Sequence, residues 1–327
     1  YETSKKSIYK EKITVFGSTK LKKKFSIKYN NILLKNTLLT SQTNNYVNKF
    51  IKLEINNKSS IIEIHNRPSY VKIISSKIKK RILSLYFHND PLSMDGSKSI
   101  QDRKYLLRIC YKIIFNSNWS KKRFLEGLEN KFINSNKLAV FYQSANKGSM
   151  SLIKNKKKWI TFVGKLNKAK GYDVFSKAIV KVLNKNPSWK AKIIGDEKRE
   201  KINLNHKNAH ILGFKKHEDV IKIFKKTGIA VACSRWEEPF GRTSLEASAN
   251  GCAVIITNKG GLPETVTNAK ILNVLSAKNL EKNINNLINN INLRKRMQKL
   301  SIRNFNLTHQ FVTKKIDQYR SEKLKDI

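Results

Sequence analysis

Short apolar segments alternate with amphipathic helical patterns along most of the chain. In its carboxyl-terminal half the apolar segments are WITFVG (159–164), KAKIIG (190–195), AHILGF (209–214), IAVACS (229–234) and AVIITN (253–258). Helical patterns lie between them, near residues 171–185, 216–226, 242–250 and 276–292. Unbroken apolar strands separated by helices are typical of parallel sheets that helices cover on both faces. The sequence therefore predicts an α/β fold.

The amino-terminal half repeats this pattern, and its apolar segments are KITVFG (12–17), SIIEIH (60–65), ILSLYFH (82–88) and YKIIFNS (111–117). A polar stretch rich in Gly, Ser and Lys (142–158) separates the two halves. The sequence thus predicts one domain over residues 1–150, a second over 151–292, and charged helices over 293–327 with an apolar stripe that can pack back on the first domain. Nucleotide-binding domains normally open with a strand and a Gly-rich turn, so we expect the amino-terminal strand to be missing.

The charge of the chain is extreme, because 67 Lys and Arg face only 23 Asp and Glu, for a net charge of +44. Such an excess attracts polyanions, either nucleic acid or an anionic membrane surface. The alternative is the codon usage of an AT-rich genome, which raises Lys, Asn and Ile together. We favour the alternative, because the lysines are spread along the whole chain. We expect no specific nucleic acid, and attraction to anionic lipid as a side effect.

Cysteine usage and hydropathy bear on the compartment. Cys110, Cys233 and Cys252 lack the spacing of a disulfide framework, which fits a reducing cytoplasm. No apolar run approaches the ~18 residues of a membrane-spanning helix. The sequence predicts a cytoplasmic protein that can lie peripherally on the inner face of the plasma membrane.

The segment SRWEEPFGRTSLEASANGCAVI (234–255) places seven residues between Glu238 and Glu246. It follows an apolar strand, and ligands of parallel sheets bind beyond the carboxyl ends of the strands. Gly241 opens a predicted helix, whose free N–H groups favour an anion such as phosphate. Glu246 lies about 7–8 Å further along the axis. A carboxylate there can accept hydrogen bonds from two sugar hydroxyls.

Two glutamates at this spacing more often lie on a solvated surface than in a ligand site. The preceding strand, the Pro-Phe-Gly turn and the small residues ASANG (247–251) favour a ligand site instead. The segment therefore predicts a phosphate held between two carboxylates that bind hydroxyls.

Three segments together resemble glycosyltransferase family 4, namely EPFGRTSLEASANGCAVIITNKGGLPETV (238–266), FVGKLNKAKGYDVF (162–175) and AKIIGDE (191–197). The resemblance covers about residues 60–290. It implies the GT-B fold, in which two Rossmann-like domains face a cleft. It also implies transfer of a sugar from a nucleotide-sugar to a hydroxyl with retention of configuration, and neither a metal nor a cofactor. HNRPSY (65–70) and HNDPLSM (88–94) resemble the branch that acts on lipopolysaccharide core and related cell-surface glycans.

The resemblance implies roles for residues of the second domain. Glu246 would bind the ribose of the donor, and Glu238 the hydroxyls of its sugar. Lys165 and Lys170 would neutralise the diphosphate. The family usually has Arg at the first of these two positions, and Lys cannot make the bidentate contact of Arg. The other donor-binding residues would be Gly164, Phe240, Gly241, Arg242, Thr243, Gly260 and Gly261.

In the first domain the resemblance points to His88, at the tip of a predicted strand, as the residue that reaches the donor sugar. With Glu238, Lys165 and Lys170 it completes the catalytic set. A lone histidine is more often a turn residue, but His65 ends another predicted strand in the same way. The acceptor-side residues would be His65, Asn66, Arg67, Asp90 and Ser117. We expect a UDP-sugar as donor and a glycan or glycolipid as acceptor.

Two other functions remain open. A polyanion-binding protein would use the net charge, although the four Trp are scattered and form no aromatic and basic platform. A noncatalytic nucleotide-sugar binder would result if the missing strand removed turnover. A metal site is not expected, because the sequence contains no Asp-x-Asp and the pair His206 and His210 lacks the Glu of a zincin motif.

Overall fold

The structure, a computed structural model, describes residues 2–19, 25–34, 41–57, 59–79 and 81–324. The chain forms two compact units. The first unit comprises residues 1–142 together with 309–327, and the second comprises residues 143–308. Residues 293–308 therefore lie with the second unit, and the last helix lies with the first.

The strands and helices are named in chain order. The strands are β1 (Thr14–Gly17), β2 (Lys28–Asn31), β3 (Ile61–His65), β4 (Ile82–Phe87), β5 (Lys112–Phe115), β6 (Leu138–Val140), β7 (Lys157–Val163), β8 (Lys190–Ile194), β9 (Ala209–Ile211), β10 (Thr227–Ala232), β11 (Ala253–Thr257) and β12 (Ala269–Leu272). The helices are α1 (Glu2–Lys6), α2 (Gln42–Asn57), α3 (Pro68–Lys77), α4 (Ile100–Ile109), α5 (Asn118–Leu125), α6 (Tyr172–Lys185), α7 (His217–Lys226), α8 (Arg242–Ala249), α9 (Ala277–Asn289), α10 (Ile291–Arg303) and α11 (His309–Leu324).

The first unit is built on a parallel sheet with strand order β3-β4-β5-β6, and β1 and β2 form a separate parallel pair. The sheet forms because β4 and β5 are mostly apolar and every residue after the first of each strand is buried. On one face, Phe87 and Phe115 of the sheet pack against Phe124 of α5. On the other face, Tyr319 of α11 packs against Tyr86.

An ion pair ties α11 to this sheet. Arg320 donates from Nε and Nη2 to the two carboxylate oxygens of Glu63 in β3, at 2.9 and 2.7 Å. Both side chains are largely buried, and the guanidinium holds the pKa of Glu63 below its usual range against the opposing effect of burial. The pair fixes β3 two residues before His65, the last residue of that strand.

The second unit is built on a six-stranded parallel sheet with order β12-β11-β10-β7-β8-β9. Helices α6 and α9 cover one face through residues such as Phe175 and Ile284, and α7 and α8 cover the other through residues such as Phe224. From β7 the chain adds strands in one direction as far as β9, and then returns to place β10 on the other side of β7. Ligands of such sheets bind beyond the carboxyl ends of the strands at this switch point.

The predicted α/β fold with two parallel sheets is confirmed. Within the described residues, none of the helices combines the length and the apolar character needed to cross a bilayer.

Candidate functional site

Two loops meet at the switch point of the second unit. One follows β7 (residues 164–171) and the other follows β10 (233–241). The backbone carbonyl of Ala169 accepts hydrogen bonds from the backbone N–H groups of Arg235 and Trp236, at 2.9 and 3.0 Å. The loops are therefore fastened to each other by main-chain contacts, which hold whatever side chains they carry in fixed relative positions.

A second set of contacts fixes the start of α6 on the same loop. Gly171 caps the helix with φ +71°, and a Cβ there would lie 1.9 Å from the carbonyl oxygen of Cys233. Asp173 accepts a hydrogen bond from Arg235 Nη2 at 2.8 Å, and this contact lowers the pKa of Asp173. Arg235 Nη1 also donates to the carbonyl of Lys168, at 2.9 Å. Only glycine fits at position 171.

The fastened loops bring two of the predicted catalytic residues together. Lys170 Nζ forms a short ion pair with Glu238 Oε1. The carboxylate side chain is 14% exposed and the ammonium side chain 32% exposed, so both can reach a ligand. Lys165 lies in the same loop and is exposed, and among the described residues no carboxylate forms an ion pair with it.

Helix α8 begins beside this pair. Its N-cap is Gly241 with φ +110°, where a Cβ would lie 2.5 Å from Leu262 Cδ2. Phe240 is buried, Thr243 is half-buried and Arg242 is exposed. The free N–H groups of the first helical turn are a favourable place for an anion.

The Gly-Gly loop after β11 packs against the main chain of Glu238. The N–H of Gly261 donates to the carbonyl of Glu238 at 2.6 Å, and Gly260 adopts φ +57°. A Cβ at Gly260 would lie 2.2 Å from that same carbonyl oxygen. The loop therefore holds the main chain of Glu238 in place. Gly164 follows β7 directly.

Glu246 is buried, with 6% of its surface exposed. Its Oε1 accepts from Arg242 Nη2 at 2.7 Å, from Arg242 Nε at 3.2 Å and from His217 Nε2 at 3.0 Å. No donor among the described residues reaches Oε2. His217 was not among the predicted site residues. The sequence feature that could have indicated His217 is its position in the first turn of a helix that follows a strand of the same sheet.

Three rings stack at the carboxyl ends of β3 and β4 in the first unit. The centroid of His65 lies 4.4 Å from that of Tyr86 and 5.4 Å from that of His88. Nδ1 of His65 and Nε2 of His88 are 3.1 Å apart. Burial, followed by the neighbouring His65, lowers the pKa of His88 to about 3, and burial also lowers the pKa of His65. The pair is therefore neutral at pH 7, and one ring donates to the other.

The backbone of His88 is held from both sides. Asn66, with φ +58°, accepts through Oδ1 from the N–H groups of His88 and Asn89, each at 3.1 Å. Asn116 Nδ2 donates to the carbonyl of His88 at 2.9 Å. Arg67 is exposed and donates from Nη1 to the carbonyl of Asn66. The structure thus brings His65, Asn66, Arg67 and His88 together.

Two predicted acceptor-side residues have local structural contacts. Asp90 accepts from the N–H of Leu92 at 3.0 Å and from Arg123 Nη2 at 3.1 Å. Ser117 is buried and caps α5 by accepting from the N–H of Ser120 at 3.0 Å. These contacts stabilise a turn and a helix start, and the acceptor role of both residues stays a prediction.

Over the described ranges of the chain, no group of three or more His, Cys, Asp or Glu side chains is arranged to hold a metal ion.

Known proteins resemble this chain in sequence and in fold. Residues 146–303 match the family described as glycosyl transferases group 1. Spore coat protein SA of Bacillus subtilis is 25% identical over 273 residues, which are 74% of this chain and 72% of that protein. The lipopolysaccharide core biosynthesis mannosyltransferase LpsB of Rhizobium meliloti is 30% identical over 121 residues, 34% of each chain.

The crystal structure of Anabaena HepE in complex with UDP-glucose matches the fold with a TM-score of 0.71 at 19% identity, covering 92% of this chain and 86% of that one. The second unit thus matches the glycosyl transferase group 1 family over residues 146–303, and the chain has the α/β GT-B fold with two parallel sheets.

Proposed function

We propose that the chain is a retaining glycosyltransferase that moves a sugar from a UDP-sugar to a hydroxyl of a cell-surface glycan or glycolipid. The observation that carries the proposal is the convergence of Lys170, Glu238 and Glu246 with the first turn of α8 at the switch point of one sheet. These groups supply positive charge and two carboxylates, which suit a diphosphate flanked by two sets of hydroxyls.

The nature of the substrates is supported by the relatives. HepE is described in complex with UDP-glucose, and also with UDP and glucose. LpsB carries a name that assigns it to lipopolysaccharide core biosynthesis, and the motifs at His65 and His88 resemble the same branch. These likenesses support UDP as the nucleotide and a surface glycan as the acceptor.

In the proposed mechanism, the second unit stabilises the departing diphosphate. Negative charge develops on the leaving oxygen as the glycosyl carbon becomes cation-like. Lys165, Lys170 and the N–H groups at the start of α8 offset that charge, so we propose that no divalent cation is required. Glu246 would accept the ribose hydroxyls through Oε2, and Glu238 the sugar hydroxyls. The leaving phosphate oxygen would take the proton of the acceptor hydroxyl.

The first unit contributes the neutral pair His65 and His88. A neutral imidazole can donate to or accept from a sugar hydroxyl without adding charge. We propose this role for His88, with His65, Asn66, Arg67, Asp90 and Ser117 on the acceptor side.

The proposal includes a cytoplasmic protein at the inner face of the plasma membrane. The net charge of +44 supports adsorption to anionic lipid, and the free, buried thiols of Cys110, Cys233 and Cys252 are compatible with a reducing compartment.

Calorimetry with UDP tests the donor site. Glu246→Gln removes a charged acceptor, so we expect affinity for UDP to fall about 10- to 150-fold. Glu281→Gln is the matched control, because Glu281 is also a buried, ion-paired glutamate of the second unit, in α9. Unchanged affinity in a folded Glu246→Gln variant would remove Glu246 from the site.

Turnover is tested by release of UDP from UDP-sugars in the presence of candidate acceptors. A chain that binds UDP but releases none would be a noncatalytic binder. A chain that ignores UDP-sugars and binds DNA duplex with steep salt dependence would be the polyanion-binding protein.

A further inference from the structure

The nucleotide side of the site contains a histidine outside the predicted motifs. His217 is the first residue of α7, and its Nε2 lies 3.0 Å from Glu246 Oε1. Its side chain is 61% exposed, whereas that of Glu246 is 8% exposed. We infer that His217 is a positioning residue of the donor site, which holds Glu246 through Oε1 and leaves Oε2 to the ribose of UDP. This inference rests on the proposed function.

The distribution of donors on the carboxylate supports the inference. An arginine beside a carboxylate commonly forms a fork, with one N–H on each oxygen. Here both contacting nitrogens of Arg242 reach Oε1, and His217 reaches the same oxygen from a different helix. A carboxylate oxygen has about two lone-pair sites, so three N–H groups fill Oε1. Oε2 keeps its full capacity for hydroxyls.

The contact between His217 and Glu246 also shows which ring nitrogen of His217 is a donor. A carboxylate oxygen can only accept, so Nε2 of His217 carries the hydrogen. Arg242 comes from the same helix as Glu246, so it cannot fix that carboxylate relative to a neighbouring helix. A donor from α7 adds a second, independent anchor that fixes which oxygen is occupied.

A positioned Oε2 makes a specific demand on the nucleotide. If it accepts from both ribose hydroxyls, then removal of the 2′-hydroxyl costs affinity only while Glu246 is held in place. The ratio of the affinities for UDP and 2′-deoxy-UDP therefore reports the orientation of Glu246. A residue that only stabilises the fold would leave this ratio unchanged.

The experiment compares these two nucleotides by calorimetry on the wild type and on three variants of His217. The amide nitrogen of Gln can occupy the place of Nε2, whereas that of Asn lies closer to the place of Nδ1. We expect His217→Ala and His217→Asn to lower the affinity for UDP about 3- to 10-fold and to reduce the discrimination against 2′-deoxy-UDP. We expect His217→Gln to restore both properties.

His206→Ala is the control, because His206 also lies in the second unit and bonds a single side chain, Asn184, at 3.1 Å. It should bind both nucleotides like the wild type. A wild type that binds no UDP would overturn the proposed function and this inference together. If Glu246→Gln weakens UDP while every His217 variant binds like the wild type, this inference alone fails. Loss of affinity with unchanged discrimination, or without rescue by Gln, would also overturn the positioning role.

Discussion

Two glycines of the second unit share a backbone conformation but differ in what surrounds them. Gly171 has φ +71° and Gly213 has φ +65°. A Cβ at Gly171 would lie 1.9 Å from the carbonyl oxygen of Cys233, whereas a Cβ at Gly213 would meet nothing within 4 Å. Substitution by Ala at either position imposes the left-handed conformation on an L-residue, and only at Gly171 does it also create a clash with backbone.

The magnitudes follow from this difference. The left-handed conformation costs Ala about 1–2 kcal/mol, so Gly213→Ala should lower the free energy of unfolding by that amount. In a domain of this size each kcal/mol lowers Tm by about 2–4 °C. At Gly171 the carbonyl of the buried Cys233, which directly follows the central strand β10, would also have to move away by roughly 1 Å. We therefore expect a loss above about 4 kcal/mol, the range reserved for disrupted cores and strained backbones.

The clash should also reach the candidate site, because Gly171 follows Lys170 directly. Displacement of the loop would separate Lys170 from Glu238, and misplacements of about 1 Å are costly in preorganised sites. Scanning calorimetry and titration with UDP are the assays, with Gly213→Ala as the matched control. Melting temperatures for the two variants that agree within error would refute the reasoning, since they would mean that the contact with Cys233 relaxes without cost.

Three further predictions concern charge. In calorimetry, Lys165→Gln and Lys170→Gln should each weaken the binding of UDP far more than that of uridine. Lys177 is an exposed lysine on α6, and Lys177→Gln should change neither affinity. Equal small losses of affinity in all three variants would mean that only the general positive charge of the protein acts on UDP. Release of UDP from the donor should persist in excess chelator, because lysines and a helix start supply the positive charge; activity that chelator abolishes and manganese or magnesium restores would contradict this. The pKa of His88 is lowered to about 3 in the folded protein. Between pH 6.5 and pH 3 the unfolded chain therefore binds more protons than the folded chain. The free energy of unfolding should fall as pH falls through that window, by up to about 1.4 kcal/mol per pH unit. Denaturant titrations between pH 7 and pH 5 should show a shallower slope for His88→Gln, and equal slopes would show that His88 titrates normally.

The strands that the sequence predicted are those that contain a run of apolar residues. In β4, β10 and β11 nearly every residue is buried, so the apolar run is long enough to stand out. The strands that it did not predict are short or exposed. For β2 the sequence is KYNN, β6 has three residues, and β12 has four residues, of which only one is buried. Such strands form because a neighbouring strand offers a free edge, which is a property of the assembled sheet.

Helix α4 has a local start signal in the sequence. Ser99 and Asp102 form a capping box at the start of α4, in which each side chain accepts from the backbone of the other residue. That spacing is a recognised start signal. The helix has only modest apolar periodicity, since three of its ten residues are buried, so the capping box indicates its start more clearly than periodicity does.

The donor site shows where sequence spacing stops being informative. Glu238 and Glu246 lie on one loop and the helix that follows it, so their separation along the chain fixes their separation in space. Glu246 and His217 are 29 positions apart and lie on different helices. They meet because the chain crosses from the edge strand β9 to the central strand β10, passing β8 and β7. This crossover brings α7 beside α8 on the same face of the sheet. Because strand order decides the contact, only the folded sheet could identify His217 as a partner of Glu246.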